Sequence, residues 1–303
     1  MHQAQIRHPH HHLMPFVAVA AGIASFSLMD GLMKGASLAI GAYSAMLWRS
    51  LASGAVLAPL WLAKGGGWPR GEVLRLHALR GLNSAVMATS FFWGLKFLPL
   101  AEGMAISFIA PLIALYLAAV MLGETVGKRA VFASLLGLAG VAVIAGSRMT
   151  GDGYSRDAML GIAAILFSAV LYAWNLILQR QQALLAPPRE VATFQALFTS
   201  LYLAALAPWL LQWPDLPVAL TLGAAALLAS VSLMLISWGY GREETQVLLP
   251  LEYSAFIWAA IIGWFMFHEG LTLPTVAGAV LIVIGCWIAT RSGQKAHIEQ
   301  VAL

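Results

Sequence analysis

Ionisable and polar side chains lie inside the most apolar segments of this sequence, where they could bind a polar solute or carry a proton. On the first apolar segment, Asp30 and Lys34 are four residues apart, which places them on one face of a helix. An ionised carboxylate in apolar surroundings is costly and by default indicates a function. Two interpretations stay open: a structural Asp30–Lys34 ion pair, or a role of both groups in solute binding or proton transfer.

Basic and amide groups on the next two segments could complete such a site. Arg49 could pair with Asp30 or hold a carboxylate through two hydrogen bonds, and an arginine at the membrane interface is the alternative. Arg80 and Asn83 belong to a polar stripe on the third segment, and a lipid-facing position offers such groups no partner. Asn83 is therefore expected either to line a cavity or to bond a neighbouring helix.

The second half of the chain carries matching groups. Tyr172 and Asn175 share a helical face on the sixth apolar segment. They could line a central polar path, or they could form hydrogen bonds between helices. Glu252 needs a cationic partner such as Arg80, or a bound proton. The predicted solute-binding residues are Arg49, Arg80, Asn83, Tyr172, Asn175, Tyr253 and Trp258, the last two as apolar walls, and the predicted proton- or charge-coupling residues are Asp30, Lys34 and Glu252.

The composition indicates the surroundings of these groups. The chain has 303 residues, of which 60% are hydrophobic and 10% charged, whereas soluble proteins carry about 25% charged residues. Ten apolar segments are long enough to cross a hydrocarbon core of roughly 30 Å. They are 13–33, 42–63, 74–96, 101–122, 130–147, 158–179, 191–211, 217–240, 245–267 and 273–290. The sequence therefore predicts an all-α integral membrane protein, surrounded by lipid and without a nucleic-acid site.

Signatures of enzymes and metal sites are weak. His268 and Glu269 begin like the zinc motif HExxH, but Thr272 stands where the second histidine is required. Cys286 is the only cysteine, so an internal disulfide is impossible. We predict no enzymatic activity, no metal and no cofactor, and we interpret the histidine-rich residues 1–12 as a disordered tail rather than a metal site.

The chain contains two copies of one unit. Glu124 and Glu269 are 145 residues apart, and Trp93 and Trp238 have the same separation. Most loop lysines and arginines fall on one side of a ten-segment arrangement, which places both termini in the cytoplasm. Because five is odd, the second five-helix copy is expected to be inverted, as in many secondary transporters. The predicted parts are a tail over 1–12, the first copy over 13–147, a periplasmic connection over 148–157, the second copy over 158–291 and a cytoplasmic tail over 292–303.

Two stretches resemble a known family. Residues 97–127, FLPLAEGMAISFIAPLIALYLAAVMLGETVG, resemble the fourth helix and following turn of EamA-type transporters, which belong to the drug/metabolite transporter superfamily. Residues 245–272, TQVLLPLEYSAFIWAAIIGWFMFHEGLT, resemble the same element of the second EamA unit. The resemblance implies export of amino acids, nucleosides or drugs, and the family includes YddG-type exporters of aromatic amino acids. Phe256 stands where Pro111 stands in the first copy, so any helix break is expected to differ between the copies.

These patterns predict a multi-pass inner-membrane protein that exports small metabolites by alternating access around a central cavity between the copies. Amino acids, including aromatic or bulky apolar ones, are the favoured substrates, because a zwitterion with an apolar side chain fits basic, acidic, amide and aromatic groups together. Two alternatives stay open: an exporter of drugs or lipophilic cations with the same fold, and a passive channel. Glu124, in a turn beside Lys128, is expected to be a turn or salt-bridge residue.

Overall fold

The structure, a computed structural model, describes residues 13–122, 128–147, 156–240, 242, 248 and 251–301. These residues form helices joined by short connections. The helices are Leu13–Ile40 (α1), Ala42–Ala63 (α2), Gly71–Gly94 (α3), Leu100–Ser107 (α4), Ala110–Leu122 (α5), Lys128–Ser147 (α6), Arg156–Leu185 (α7), Pro188–Ala204 (α8), Ala207–Leu210 (α9), Leu216–Tyr240 (α10), Ala255–Phe267 (α11) and Leu273–Val301 (α12). The predicted tail over 1–12, the turn with Glu124 and most of the predicted connection over 148–157 lie outside the described residues.

Apolar helices confirm an all-α protein suited to a membrane, although the predicted ten spans are not all matched by single long helices. Within the described residues, four helical stretches are long and apolar enough to cross a membrane: Met14–Ile40, Ala42–Ala63, Arg156–Gln179 and Leu216–Ile236. The predicted span 101–122 is divided between α4 and α5, and α8 ends at Ala204, short of the predicted 211. The last helix continues beyond the predicted 290 to Val301.

The helix boundaries repeat at the separation read from the sequence. Three pairs of helices begin 145 residues apart, namely α3 and α10, α5 and α11, and α6 and α12. The packing repeats as well: α1 packs along α10, and their counterparts α7 and α3 pack along each other. Two further pairs, α2 with α8 and α6 with α12, join a helix to its own counterpart. The two copies therefore share one fold and meet through equivalent surfaces.

A helix break occurs at the same place in both copies, so the expectation that it would differ is wrong. The chain turns at Phe108 in the first copy and at Tyr253 in the second, and α5 and α11 begin two residues later. Pro111 lies in the first turn of α5, where its missing N–H breaks no helical hydrogen bond. Phe256 fits the same position, because any residue can occupy a first turn.

The turns at the two helix breaks contact each other beside the main hydrophobic cluster. The rings of Phe108 and Tyr253 lie edge to face with their centroids 5.5 Å apart. Both residues pack against the main hydrophobic cluster, which draws side chains from both copies. The equivalent turns of the two copies thus touch each other directly.

Small residues allow the closest contact between the copies, where α6 crosses α12. A Cβ added to Gly140 would stand 2.5 Å from the carbonyl oxygen of Gly278, and one on Gly278 would stand 2.6 Å from that of Gly140. No side chain fits at such distances, so the two backbones touch. Small residues at helix interfaces are typical of membrane proteins.

Candidate functional site

Arg80 on α3 is held by three amide side chains of α7. It is only 6% exposed. Its Nε donates to Asn175 Oδ1 at 3.1 Å, Nη1 to Gln182 Oε1 at 2.6 Å and Nη2 to Gln179 Oε1 at 3.2 Å. These acceptors are neutral, so they orient the guanidinium without cancelling its charge. The expected partner Glu252 is not the group that Arg80 bonds.

The network continues away from Arg80 through a buried histidine. Gln182 Nε2 donates to His77 Nδ1 at 2.9 Å, and His77 Nε2 lies 3.1 Å from Glu190 Oε1. With Nδ1 as an acceptor, the ring proton sits on Nε2 and points to the carboxylate. This chain of contacts fixes α3 against α7 and α8.

Asn83 bonds a neighbouring helix through one of its two polar atoms and leaves the other unbonded. Its Nδ2 donates to the Leu171 carbonyl oxygen at 3.1 Å, which joins α3 to α7. Its Oδ1, however, is buried without a hydrogen-bond partner among the described residues. Beside it, Ser84 Oγ accepts a 2.9 Å bond from Gln195 Nε2, as expected of a packing residue. Asn83 therefore keeps one buried acceptor for another group.

A second polar group lies on α1 and α2. Asp30 is 3% exposed and interacts electrostatically with Arg49. Within the part of the chain that the structure describes, Arg49 Nε and Ser27 Oγ are buried and lack hydrogen-bond partners. Buried polar atoms are nearly always bonded, so each exception needs a reason.

Tyr172 is near charged residues of both groups. It is 41% exposed and interacts electrostatically with Glu252, Asp30 and Arg80. The predicted wall residue Tyr253 packs on Phe108 at the paired helix breaks, and Trp258, one turn into α11, is partly buried against the same core. The polar residues drawn together from both copies, called here the central polar site, are Asp30, Arg49, Arg80, Asn83, Tyr172, Asn175 and Glu252.

Lys34 does not form the structural pair with Asp30 that its spacing suggested. Its Nζ forms an ion pair with Glu269 and donates to the Leu98 carbonyl oxygen at 2.7 Å. The other carboxylate oxygen of Glu269 accepts the backbone N–H of Leu100 at 2.7 Å, at the start of α4. Spacing alone favoured the near carboxylate, whereas the fold supplies one 235 residues away.

Sequence reasoning missed three polar residues that form contacts between helices, two of them buried. Glu102 is 1% exposed and accepts a 3.0 Å bond from Thr275 Oγ1, which ties α4 to α12. The sequence feature that could have revealed Glu102 is a carboxylate just inside an apolar segment. Glu269 stands in the sequence as a repeat landmark and as part of an incomplete zinc motif, neither of which indicates an ion pair, and Gln182 lies just beyond the predicted end of its span.

The family is shown by a match to both halves of the chain. The EamA-like transporter family model matches residues 13–146 and again residues 159–291. The chain belongs to the EamA-like transporter family. This confirms the resemblance read from residues 97–127 and 245–272, and it supports a transporter rather than an enzyme.

Relatives in the family carry different names. The chain is 26% identical over 274 residues to the pseudopaline exporter CntI of Pseudomonas aeruginosa, covering 88% of this chain and 93% of that protein. It is 23% identical to the S-adenosylmethionine uptake transporter of Rickettsia bellii, covering 92% and 94%. It is 28% identical over 212 residues to the aromatic amino acid exporter YddG of Ancylobacter novellus, covering 68% and 72%. The shared element is transport of a small molecule.

A solved crystal structure shares the fold of this EamA protein. The two align with a TM-score of 0.62 at 23% identity, covering 92% of this chain and 97% of the other. At that identity the similarity shows the fold alone.

Proposed function

We propose that this EamA-family protein is a secondary transporter of the bacterial inner membrane that exports amino acids, including aromatic and bulky apolar ones. The observation that carries the proposal is the central polar site. It combines the oriented guanidinium of Arg80, the buried carboxylate of Asp30 and the Oδ1 of Asn83, a buried atom without a hydrogen-bond partner in the described residues. A zwitterion needs these three kinds of partner at once.

Arg80 is suited to the carboxylate of such a substrate. Its three neutral acceptors leave its charge uncompensated, while they hold the guanidinium in one orientation. An arginine binds a carboxylate through a planar pair of donors, which a lysine cannot reproduce. Arg49, whose Nε is buried and unbonded, is the second candidate for this role.

The carboxylates and Asn83 are suited to the ammonium group. Asp30 is buried, and the Oδ1 of Asn83 is a buried acceptor without a partner in the described residues. A bound ammonium would supply the missing hydrogen bond, and Asp30 or Glu252 would balance its charge or exchange a proton with it. The aromatic rings of Tyr253 and Trp258 would meet the apolar side chain of the substrate.

Alternating access is the proposed mechanism. The site draws groups from both copies, and a substrate site where repeats meet is the arrangement of inverted-repeat transporters. In this scheme both termini are cytoplasmic and the second copy is inverted. The names of the relatives support small-molecule transport, with export in two of the three cases.

The decisive experiment is exchange of labelled amino acids by the purified protein in liposomes. We expect exchange of aromatic amino acids, and a fall of about tenfold in Asn83→Ala, because a hydrogen bond to a charged group is lost. Ser84→Ala is the matched control, since it removes a packing hydroxyl on the neighbouring residue, and it should stay within about twofold. An unaltered exchange rate in Asn83→Ala would remove this residue from the site.

Export of a lipophilic cation is the competing function, and the buried carboxylate of Asp30 is the observation that favours it. Efflux of a cationic dye without exchange of any amino acid would replace our proposal by this one. A passive channel is distinguished by rate, since its conductance would greatly exceed carrier turnover.

A further inference from the structure

Charged groups from the two copies form an ion pair at the end of the molecule where α1 and α11 end. Lys34 of the first copy and Glu269 of the second form an ion pair in which the two side chains are 4% and 17% exposed. The pair also bonds the Leu98 carbonyl oxygen and the Leu100 N–H, which flank the turn into α4. We call the Lys34–Glu269 pair with these two bonds the ionic latch.

The turn after α11 is shaped to present Glu269. Helix α11 ends at Phe267, and the residue that follows, His268, has a φ of 55°. It is the only non-glycine residue with positive φ in the described part of the chain. This left-handed residue reverses the chain, and Glu269 N–H returns to the Gly263 carbonyl oxygen at 3.1 Å. A Cβ on Gly263 would stand 2.8 Å from Glu269 Oε2, so glycine leaves the space that the carboxylate occupies.

The position equivalent to Lys34 in the second copy carries no charge. Gln179 stands there, 145 residues on, and it accepts a hydrogen bond from Arg80. The second copy thus has no cation at the position equivalent to Lys34. A cavity of about 350 Å³, with Lys96 and Phe97 in its lining, opens beside the latch and gives access to it.

We propose that the ionic latch is the gate of this end of the transporter, and that its opening is a step of the transport cycle. The inference rests on the proposed function, because only a transporter must open each end in turn. Lys34 lies one helical turn beyond Asp30 on α1, so separation of the pair would uncover the path to the central polar site. A substrate can leave through this end only when Lys34 and Glu269 part.

Cysteine accessibility tests the gate without knowledge of the substrate. In a Cys286→Ala background, Ser27→Cys places a reporter two turns below Lys34, at a position that is 1% exposed. A membrane-impermeant maleimide is added from the side that labels the 85% exposed position of Leu273→Cys. Glu269→Gln and Lys34→Met should each speed labelling of the reporter by about fivefold or more, and the double variant should add nothing further, because both changes break the same contact.

Controls separate the gate from general loosening. Lys96→Met removes a charge from the same cavity, and Lys34→Arg keeps the charge of the pair, so both should label like the parent. If Glu269→Gln does not fold, Glu269→Asp replaces it, since the shorter carboxylate cannot reach both Lys34 and Leu100. Unchanged labelling in the latch variants, or effects that multiply in the double variant, overturns the gate. Normal gating without amino-acid exchange would instead overturn the proposed substrate alone.

Discussion

Arg80 is a buried charge whose bonded neighbours are neutral. Its guanidinium binds Asn175, Gln179 and Gln182, and the last of these leads on to His77. Such a group holds α3 to α7 and at the same time carries charge that a substrate could use. We therefore expect changes at this residue to affect both stability and transport.

Substitutions of Arg80 should separate the two roles. Arg80→Met leaves the buried amide oxygens of Asn175 and Gln182 unbonded, and we expect it to lower the free energy of unfolding by about 3 kcal/mol and to abolish exchange. Arg80→Lys should cost about half as much, because an ammonium reaches some of the same oxygens, yet it should restore little transport. Thermal unfolding in detergent measures the first effect and liposome exchange the second.

The control is Arg75→Met, which removes an exposed arginine from the same helix and should leave both quantities unaltered. Full exchange in Arg80→Lys would show that charge alone, without planar geometry, is what the site requires.

At the same scale, the sequence located polar residues better than it located their partners. Asn83 and Asn175 stand in helix-facing stripes, and both are buried with hydrogen bonds across helices. For Lys34, the helical period visible in the sequence offered a pair with Asp30 as one of two open interpretations, whereas the contact with Glu269 depends on tertiary structure. The buried Glu102 went unnoticed for the same reason, since Thr275 is remote in the chain.

At the scale of the helices, apolar periodicity and one repeated separation predicted where most helices begin. Pro111 suggested a kink, because it lies inside a predicted span. In the structure this proline lies in the first turn of a new helix. The turn at Phe108 and Tyr253 has no comparable signal in either copy. Boundaries of this kind follow from packing in the centre of the molecule, which a single sequence does not display.

The contact of α6 with α12 should be intolerant of side chains. Gly140→Val would force the backbones apart, and we expect a loss of about 1–3 kcal/mol in the free energy of unfolding. Gly146→Val on the same helix is the matched control, because none of the described residues lies within 4 Å of a Cβ at that position. Equal losses in thermal unfolding for the two variants would show that valine acts through helix propensity rather than through this contact.

At the scale of the whole molecule, the orientation of the copies is the main expectation to test. Gly67 and Gln212 are equivalent positions, 145 residues apart, in connections that follow α2 and α9. In an inverted repeat they lie on opposite sides of the membrane. Single cysteines at Gly67 and Gln212, in the Cys286→Ala background, should therefore react with an impermeant maleimide from opposite sides.

The reaction side of Gly67→Cys also fixes the termini, since the positive-inside rule places this connection in the cytoplasm. Labelling of both positions from one side would mean parallel copies and would end the inverted-repeat scheme, while leaving the family assignment intact.

The contact between Phe108 and Tyr253 has a consequence for the ancestry of the chain. The two residues are equivalent, so in an ancestor of half this length, acting as a homodimer, one position would have packed against itself. A single codon change would then have altered both sides of the contact at once. Fusion of two such halves into one gene would remove that constraint, and Phe108 and Tyr253 differ by one hydroxyl group.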